Sequence, residues 1–559
     1  MLETMRHRGP DGEGLAKTPL GLFGHLRLAI VDVARGAQPI YNEDGSVGVV
    51  FNGEIYNYLE LRRGLQAKGH QFVTETDTEV LVHLFEEEGT ASFARLIGMF
   101  ALAIFTPEAA YLVRDQVGIK PLYYYQDGRR TLFASELKAL LAVPGLDLEP
   151  SEIGLRHYLT FRYCAGQETI FRHIRKLPPA HYLKLTARGS RLQRYDSLPG
   201  PTEPMGTTHE RMEALRETML EVVASQLMGE VPIGLTLSGG LDSSAIAYCI
   251  NHLGAKPETF NIGFPSVNEF EFSEAVARAF NLNHTAVLMA PSELAGYLPK
   301  YVRAIDEPLA DAACLPLYKL CETIREQVTV VLSGEGGDEV FAGYPQYWQT
   351  AANYPTASEK SFRFFLERSW YFLGLDELFL SRRRAEFPAR ETFKGRIQQA
   401  MSAYDLHTWV PENLMMKADK ILMAHSLEGR FPFLDLRVLR LAASLPQSET
   451  LGPGQPGPSG KWLLRELMTD LLPRNVIKRP KMGFSVPIPE LLLSIKGLVQ
   501  DTLRASGILD LILDRRAIIA VVDAHFDGRQ TAPLLVWTLF ILHYWVGLHG
   551  LAPGRHNMP

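Results

Sequence analysis

The stretch IGLTLSGGLDSSAIAYCI, residues 233–250, dictates most about how the chain around it folds. An apolar run ends at Leu237, a Gly-rich turn follows, and a helix opens on Asp242, Ser243 and Ser244. Small residues in such a turn let backbone N–H groups come close to an anion, and the helix start adds its partial positive charge. The segment therefore reads as a phosphate cradle. It lacks the GK[ST] ending of the Walker loop, which argues against a kinase or an ordinary ATPase. Asp242 stands where Mg²⁺ would be shared between a carboxylate and phosphate oxygens. A lone SGG could equally be a turn before a helix; SGGLDSS placed after a strand is far more specific.

A second loop repeats the design. In VTVVLSGEGGDEVFAGY, residues 328–344, SGEGGDE again closes an apolar strand. IGLTL, ETFNIGF, HTAVLM and VTVVL are strand candidates separated by helical runs, the signature of a parallel, doubly wound sheet. Ligands of such sheets bind beyond the carboxyl ends of the strands, so both loops should face one cleft. Glu335 and Asp338 then join Asp242 there.

The first 150 residues have a different rhythm. LGLFGHLRLAIVDV, VGVVFNGEIYNY, MFALAIF and AAYLVRD read as strands, and LELRRGLQAKG and DTEVLVHLFEEEG as amphipathic helices. This is an α+β pattern with an antiparallel sheet. DSLPGPTEPMGTTH, residues 196–209, reads as a linker, followed by the long helix HERMEALRETMLEVVASQLM. The aromatic, basic stretch at about 350–410 reads as helical, and LGPGQPGPSG, residues 451–460, as a flexible loop ending at Lys461.

Length suggests two to four domains. A net charge of −6 gives no electrostatic case for nucleic acid or an anionic membrane. The four cysteines form no CxxC pair and have no His ladder nearby, so neither a disulfide scaffold nor a zinc site is expected, and a reducing cytosol fits. No signal peptide is visible. Residues 532–552 are apolar enough to span a bilayer, but they include His543 and His549, and no Lys or Arg lies inside them. They read as a packed helix.

SGGLDSS resembles the pyrophosphate loop of ATP pyrophosphatases. With SGEGGDEVFAGY, MAHSLEGRFPFLD (423–435), GKWLLRELMTDLLP (460–473) and RPKMGF (479–484) in the same order, the chain resembles glutamine-hydrolysing asparagine synthetases over most of residues 6–550. The resemblance implies an α+β N-terminal-nucleophile-type glutaminase domain of layered antiparallel sheets with helices at 1–195. The linker at 196–209 leads to an α/β doubly wound, adenine nucleotide α-hydrolase-like synthetase domain at 210–550. It also implies that Asp242 and Asp338 hold Mg²⁺ and the departing pyrophosphate, that Ser238, Gly239, Gly240 and Ser243 cradle phosphates, and that Leu237, Ile262, Ser333 and Gly334 contact ATP. Glu335 matches the family's essential carboxylate in acyl-adenylate formation, and Lys461 its lysine beside the reacting phosphate. Gly429 stands where the family more often has a larger aliphatic residue, which bears on the shape of the acceptor pocket.

The glutaminase resemblance rests on RHRGPDGEG, GHLRLAIVD, FNGEIYNY, TDTEV, RLIGMFALAIF, RDQVGIKPLYY and FASELKALL. Arg27 matches the arginine that holds the glutamine α-carboxylate, Asn52 and Gly53 the oxyanion-hole pair, and Asp77 the partner of the α-amino group. Leu28, Ala29, Ile30, Val31 and Glu54 complete the implied glutamine-binding set. The family's nucleophile is a cysteine at the mature N-terminus. The first cysteine here is Cys164, beyond the domain's motifs. Either the natural start lies upstream or the enzyme is shortened and uses free ammonia; as the chain stands, glutaminase activity is expected to be absent. The resemblance implies a cytoplasmic ligase of amino-acid biosynthesis that takes small-molecule substrates, with an ammonia tunnel between its domains and a tendency to form homodimers. Two rivals stay open: a β-lactam synthetase-like enzyme acting on another carboxylate, and a non-catalytic homologue.

Overall fold

The computed structural model describes residues 1–369, 396–453, 460–479, 483 and 486–551. Its N-terminal part is built on antiparallel pairing. Strands β1 (Gly12–Thr18) and β2 (Gly21–Arg27) form a hairpin. Strands β3 (Ile40–Tyr41), β4 (Gly48–Ile55), β5 (Gly98–Phe105) and β6 (Ala109–Arg114) belong to a six-stranded sheet. Strands β7 (Tyr123–Gln126), β8 (Thr131–Ala134) and β9 (Ile174–Lys176) make a third sheet. Strands β10 (His181–Thr186) and β11 (Gly189–Arg194) then close the six-stranded sheet, whose order is β11-β10-β6-β5-β4-β3. Helices Tyr58–Ala67 and Glu79–Glu88 bury Leu61, Leu65, Val80, Leu81 and Leu84 against its β4–β5 face.

One expected strand is shorter than its sequence pattern. The run 20–33 pairs only as far as Arg27. Beyond it the chain curls around that side chain, whose guanidinium donates to the carbonyls of Val31 (3.2 Å), Asp32 (2.7 Å) and Val33 (2.9 Å). Alternating hydrophobicity cannot anticipate backbone that wraps a cation.

The C-terminal part contains the parallel sheet: β12 (Ile233–Thr236), β13 (Glu258–Gly263), β14 (His284–Leu288), β15 (Val330–Leu332) and β16 (Glu428–Arg430), in the order β14-β13-β12-β15-β16. The chain leaves β12 toward β13 and β14, then returns on the other side through β15 and β16. The order therefore reverses between β12 and β15, where a crevice opens at the carboxyl ends. Strand β16 was not anticipated, because its residues Glu-Gly-Arg carry none of the usual strand signals. Its charges are buried and paired with one another, which lets them occupy a sheet edge.

The long helix Thr208–Gln226 starts at a capping box in which Thr207 and Glu210 satisfy each other's backbone donors. The apolar C-terminal stretch forms helix Pro533–Leu548, buried along most of its length, with Trp545 Nε1 donating to Ile305 O at 3.2 Å. Among the described residues no helix is long and apolar enough to cross a membrane. The middle of the 350–410 stretch and of the 451–460 loop lies outside the described residues; helices Glu359–Arg368 and Ile397–His407 flank the former.

The two parts share a core. Helix Glu152–Phe161 packs into the same apolar cluster as Trp537 and Phe540, and Tyr158 donates its hydroxyl to Thr538 O at 2.9 Å. Around this seam runs a buried ionic network. Arg8 meets Glu136 (3.1 Å) and Asp419 (2.8 Å), Lys120 meets Asp419 (3.2 Å), Lys420 meets Asp306 (3.0 Å), and Lys176 meets Glu412 (2.5 Å). Arg430 of β16 lies 3.1 Å from Glu54 of β4 and 2.9 Å from Glu428, and it also donates to Gln226 O and Met228 O. Removing one member of such a set leaves buried charge uncompensated, at a cost of about 3–5 kcal/mol. Arg430→Ala should therefore lower unfolding stability by about that amount, as measured by urea denaturation, whereas removing the exposed partner in the Arg6–Glu3 pair should change it by less than about 0.5 kcal/mol.

Candidate functional site

A cavity of about 540 Å³ occupies the β12–β15 crevice. Leu237, Ser238, Gly240, Asp242, Ser243, Ile262, Ser333, Gly334, Glu335, Asp338 and Lys461 all line it. Gly239 does not. Its φ is +70°, and a Cβ there would sit 2.4 Å from the Ser273 backbone nitrogen. It lets the loop turn tightly against helix Phe270–Phe280. Helix Leu241–His252 starts directly after Gly240. Ser238 Oγ accepts from Gly240 N–H at 3.2 Å and lies 3.2 Å from Ser243 Oγ, which holds the loop in shape.

Three distant motifs converge on Lys461. Its Nζ contacts the Asp242 carboxylate and lies 2.6 Å from Asp338. The backbone there is clamped: Lys461 has φ +64°, and its N–H donates to Phe341 O at 2.9 Å. Two glycines permit the approach. A Cβ on Gly460 would lie 1.9 Å from Ala342 O, and one on Gly343 would lie 2.0 Å from Asp338 Oδ1 and 2.2 Å from Lys461 Cε. One ammonium reaches both carboxylates, so they converge on a single point at the mouth of the phosphate loop. Paired carboxylates beside phosphate oxygens are the donor set Mg²⁺ takes, so Asp242 and Asp338 fit that ion.

Glu335 faces the same cavity and is about one third exposed. Lys417, from helix Met415–Met423, lies 3.5 Å from Glu335 and 3.6 Å from Asp311. Against the lowering pull of burial, these carboxylates hold the Lys417 ammonium well above its usual value. Neither Lys417 nor Asp311 belongs to a motif recognised in the sequence; only the fold brings them to Glu335. Arg465 and Arg479 also line the cavity, and burial lowers both guanidinium pKa values. Arg479 pairs with Glu269, while most of the rest of RPKMGF lies outside the described residues. Gly429 leaves no gap: a Cβ there would meet Leu422 Cδ1 at 2.6 Å and Phe431 Cζ at 2.8 Å, and both side chains line the cavity.

A smaller cavity of about 130 Å³ lies in the N-terminal part. Arg27, Leu28, Ile30, Val31, Asn52, Gly53, Glu54 and Asp77 line it, together with Leu2, Met5 and Arg8. Ala29 does not line it; its N–H donates to Asp11 Oδ2 at 2.8 Å. Asn52 and Gly53 lie within β4 rather than in a hairpin turn, with Gly53 at φ +142°, where a Cβ would lie 1.9 Å from Met99 O. Asp77 accepts from Ile55 N–H at 2.8 Å, and burial raises its carboxyl to about 6. Burial and Asp77 together push Glu54 up as well. His25, lowered to about 4 by burial, is neutral at pH 7 and lies 2.9 Å from Phe51 O, the geometry of an Nε2–H donor. Met423 and Glu428 of the C-terminal part reach this cavity too. The four cysteines are buried, and none lines it. In RHRGPDGEG, Arg8 touches the cavity but is committed to the ionic seam, while Gly9 and Gly14 pack directly against backbone.

An antiparallel-sheet domain joined to a doubly wound parallel sheet with glycine-rich loops at its strand ends defines a class, that of amidotransferases coupled to an ATP-using synthetase. The family model for "Asparagine synthase" matches residues 214–547, and that for "Glutamine amidotransferase domain" matches residues 1–196. The chain is 30% identical to asparagine synthetase [glutamine-hydrolyzing] 1 of Bacillus subtilis, covering 100% of this chain and 94% of that protein. It is 31% identical to a putative glutamine-hydrolyzing asparagine synthetase of Mycobacterium bovis, covering 98% and 93%. A putative asparagine synthetase of Methanocaldococcus jannaschii is 34% identical over 62% of this chain and 72% of its own. The chain belongs to the asparagine synthetase family.

The packing at Gly343 gives a direct check on the larger cavity. Gly343→Ala should displace Asp338 and Lys461 and weaken ATP binding by more than about tenfold, an effect of about 1.4 kcal/mol or more. Calorimetric titration measures it, with circular dichroism verifying an unchanged fold.

Proposed function

We propose that the chain converts aspartate, ATP and ammonia to asparagine, AMP and pyrophosphate. The observation that carries this reading is the convergence of Asp242, Asp338 and Lys461 at the strand-order reversal, with Glu335 facing the same space. In the first step an oxygen of the aspartate side-chain carboxylate attacks the α-phosphorus of ATP. The bond from that phosphorus to the bridging oxygen breaks, and pyrophosphate leaves with the electron pair. Ser238, Gly240 and Ser243 hold the departing phosphates, and Lys461 offsets negative charge as it builds between the α-phosphate and the leaving group. Mg²⁺ bound by Asp242 and Asp338 would supply further positive charge there.

In the second step ammonia attacks the acyl carbon of the β-aspartyl-AMP so formed. The acyl C–O bond breaks, AMP departs, and the excess proton on nitrogen passes to Glu335. Lys417 holds Glu335 in place from the cavity wall. In this reading residues 1–195 form the amidotransferase unit, 196–209 the connection and 210–550 the synthetase unit.

Arg27, Asp77, Asn52 and Gly53 suit the carboxylate, ammonium and amide of glutamine in turn. No cysteine reaches that cavity, so these 559 residues use free ammonia and release no glutamate from glutamine. A glutamate-release assay on this chain tests that; robust release overturns it. ATP–pyrophosphate exchange tests the synthetase reading. Exchange should require aspartate and should fall at least about 100-fold in Lys461→Met, a loss of about 2.7 kcal/mol or more in transition-state stabilisation, whereas Glu335→Gln should keep exchange and lose asparagine formation from ammonia by a similar factor, because its proton step follows adenylation. Exchange with a different acid alone would reassign the acceptor.

Asp77 adds a pH signature. Its carboxyl titrates at about 6, and only the ionised form attracts an ammonium group. Glutamine affinity should therefore rise with pH through about 6 and be roughly tenfold weaker at pH 5 than at pH 7, measured by calorimetry; Asp77→Asn should abolish the dependence.

A further inference from the structure

Four side chains outside both cavities point to a metal. Glu43 follows β3, His70 follows helix Tyr58–Ala67, and His83 and Glu86 lie on helix Glu79–Glu88. One ligand atom from each lies within 4.8 Å of all the others. His70 Nδ1 is 3.3 Å from Glu43 Oε1 and 4.0 Å from Glu86 Oε2, and His83 Nδ1 is 3.1 Å from Glu43 Oε2. Tetrahedral Zn²⁺ with bonds of about 2.0–2.1 Å sets its ligands roughly 3.3 Å apart, close to this spacing.

A second observation concerns His83 itself. It is 1% exposed, and although each ring nitrogen has a carboxylate within 4 Å, neither makes a hydrogen bond of normal geometry. A buried imidazole in that condition costs free energy unless something meets it. Its Nδ1 faces the cluster, and its Nε2 lies 3.7 Å from Glu79 Oε1. His70 is arranged alike, with Nδ1 toward the cluster and Nε2 3.3 Å from Glu87 Oε1. Glu79 is fixed by the N–H groups of Val73 and Thr74, each at 2.7 Å, and Glu87 by Lys68 at 2.7 Å. Metal-bound imidazoles are oriented in this way, each with its second nitrogen turned to a carboxylate. Glu43, Glu79, Glu86 and Glu87 surround the two rings, and among the described residues only Glu87 of the four has a lysine partner, Lys68.

We propose that Glu43, His70, His83 and Glu86 bind one Zn²⁺ as a structural ion. Imidazole and carboxylate ligands in a tetrahedral set suit zinc among the divalent ions. The ion joins the turn after β3 to helix Glu79–Glu88 and fixes both ends of segment 71–78, which carries Asp77. This site stands independently of any role for Asp77 in binding glutamine.

The test uses the full chain, freed of metal by a chelator and titrated with Co²⁺ without nucleotide. One equivalent should produce the strong visible d–d bands of a tetrahedral site, and Zn²⁺ should displace it. His70→Ala should weaken binding at least about 100-fold, beyond the range that outer-shell changes cause. Glu86→Gln, an isosteric change at an exposed position, should weaken it in the same sense and supplies the reading if His70→Ala fails to fold. His173→Ala, at the separate group of Asp147, Glu149 and His173, should leave binding unchanged. No uptake of stoichiometric metal, or uptake that survives the His70 and Glu86 changes together, overturns the proposal.

Discussion

The ionic seam between the two parts of the chain is the constraint on which the rest is hung. Arg8, Lys120, Lys176, Lys420 and Arg430 are all nearly sealed from solvent, and each pairs with a carboxylate supplied by another element. Buried pairs of this kind add little net stability, but they tolerate no substitute geometry. Apolar surfaces can slide past one another; a guanidinium held between Glu54 and Glu428 cannot. The seam therefore fixes how β4 of the antiparallel sheet sits against β16 of the parallel one.

That register brings the two cavities back to back. Residues 422–431 supply both: Met423 and Glu428 reach the smaller cavity, and Leu422 and Phe431 the larger. A single short run of chain is thus a party wall. The Arg430 pairs hold this run in place.

The fold class was legible in the sequence because its evidence is local. A strand, a glycine turn and a helix start lie within one window, and SGGLDSS and SGEGGDE each announce a strand end without help from the rest of the chain. Lys461 was nominated only through the order of motifs, since nothing around GKWLLR distinguishes it from a surface lysine. Lys417 and Asp311 were missed for the converse reason: each is ordinary in its own window, and their meeting with Glu335 is made entirely by the fold. Arg27 misled in the other direction, because an alternating run can continue in sequence while the backbone turns to satisfy a cation. The Glu-Gly-Arg strand escaped notice because its pairing is ionic and its partners are remote.

Gly429 carries a wider lesson. Its missing side chain leaves no hole, because Leu422 and Phe431 lean into the place a larger residue would take. The wall of the larger cavity is thus assembled from a helix and a strand end that can trade volume with one another. Comparing relatives at position 429 alone would suggest a roomier pocket and a different acceptor. The three positions share one volume, so a larger residue at 429 requires Leu422 and Phe431 to move.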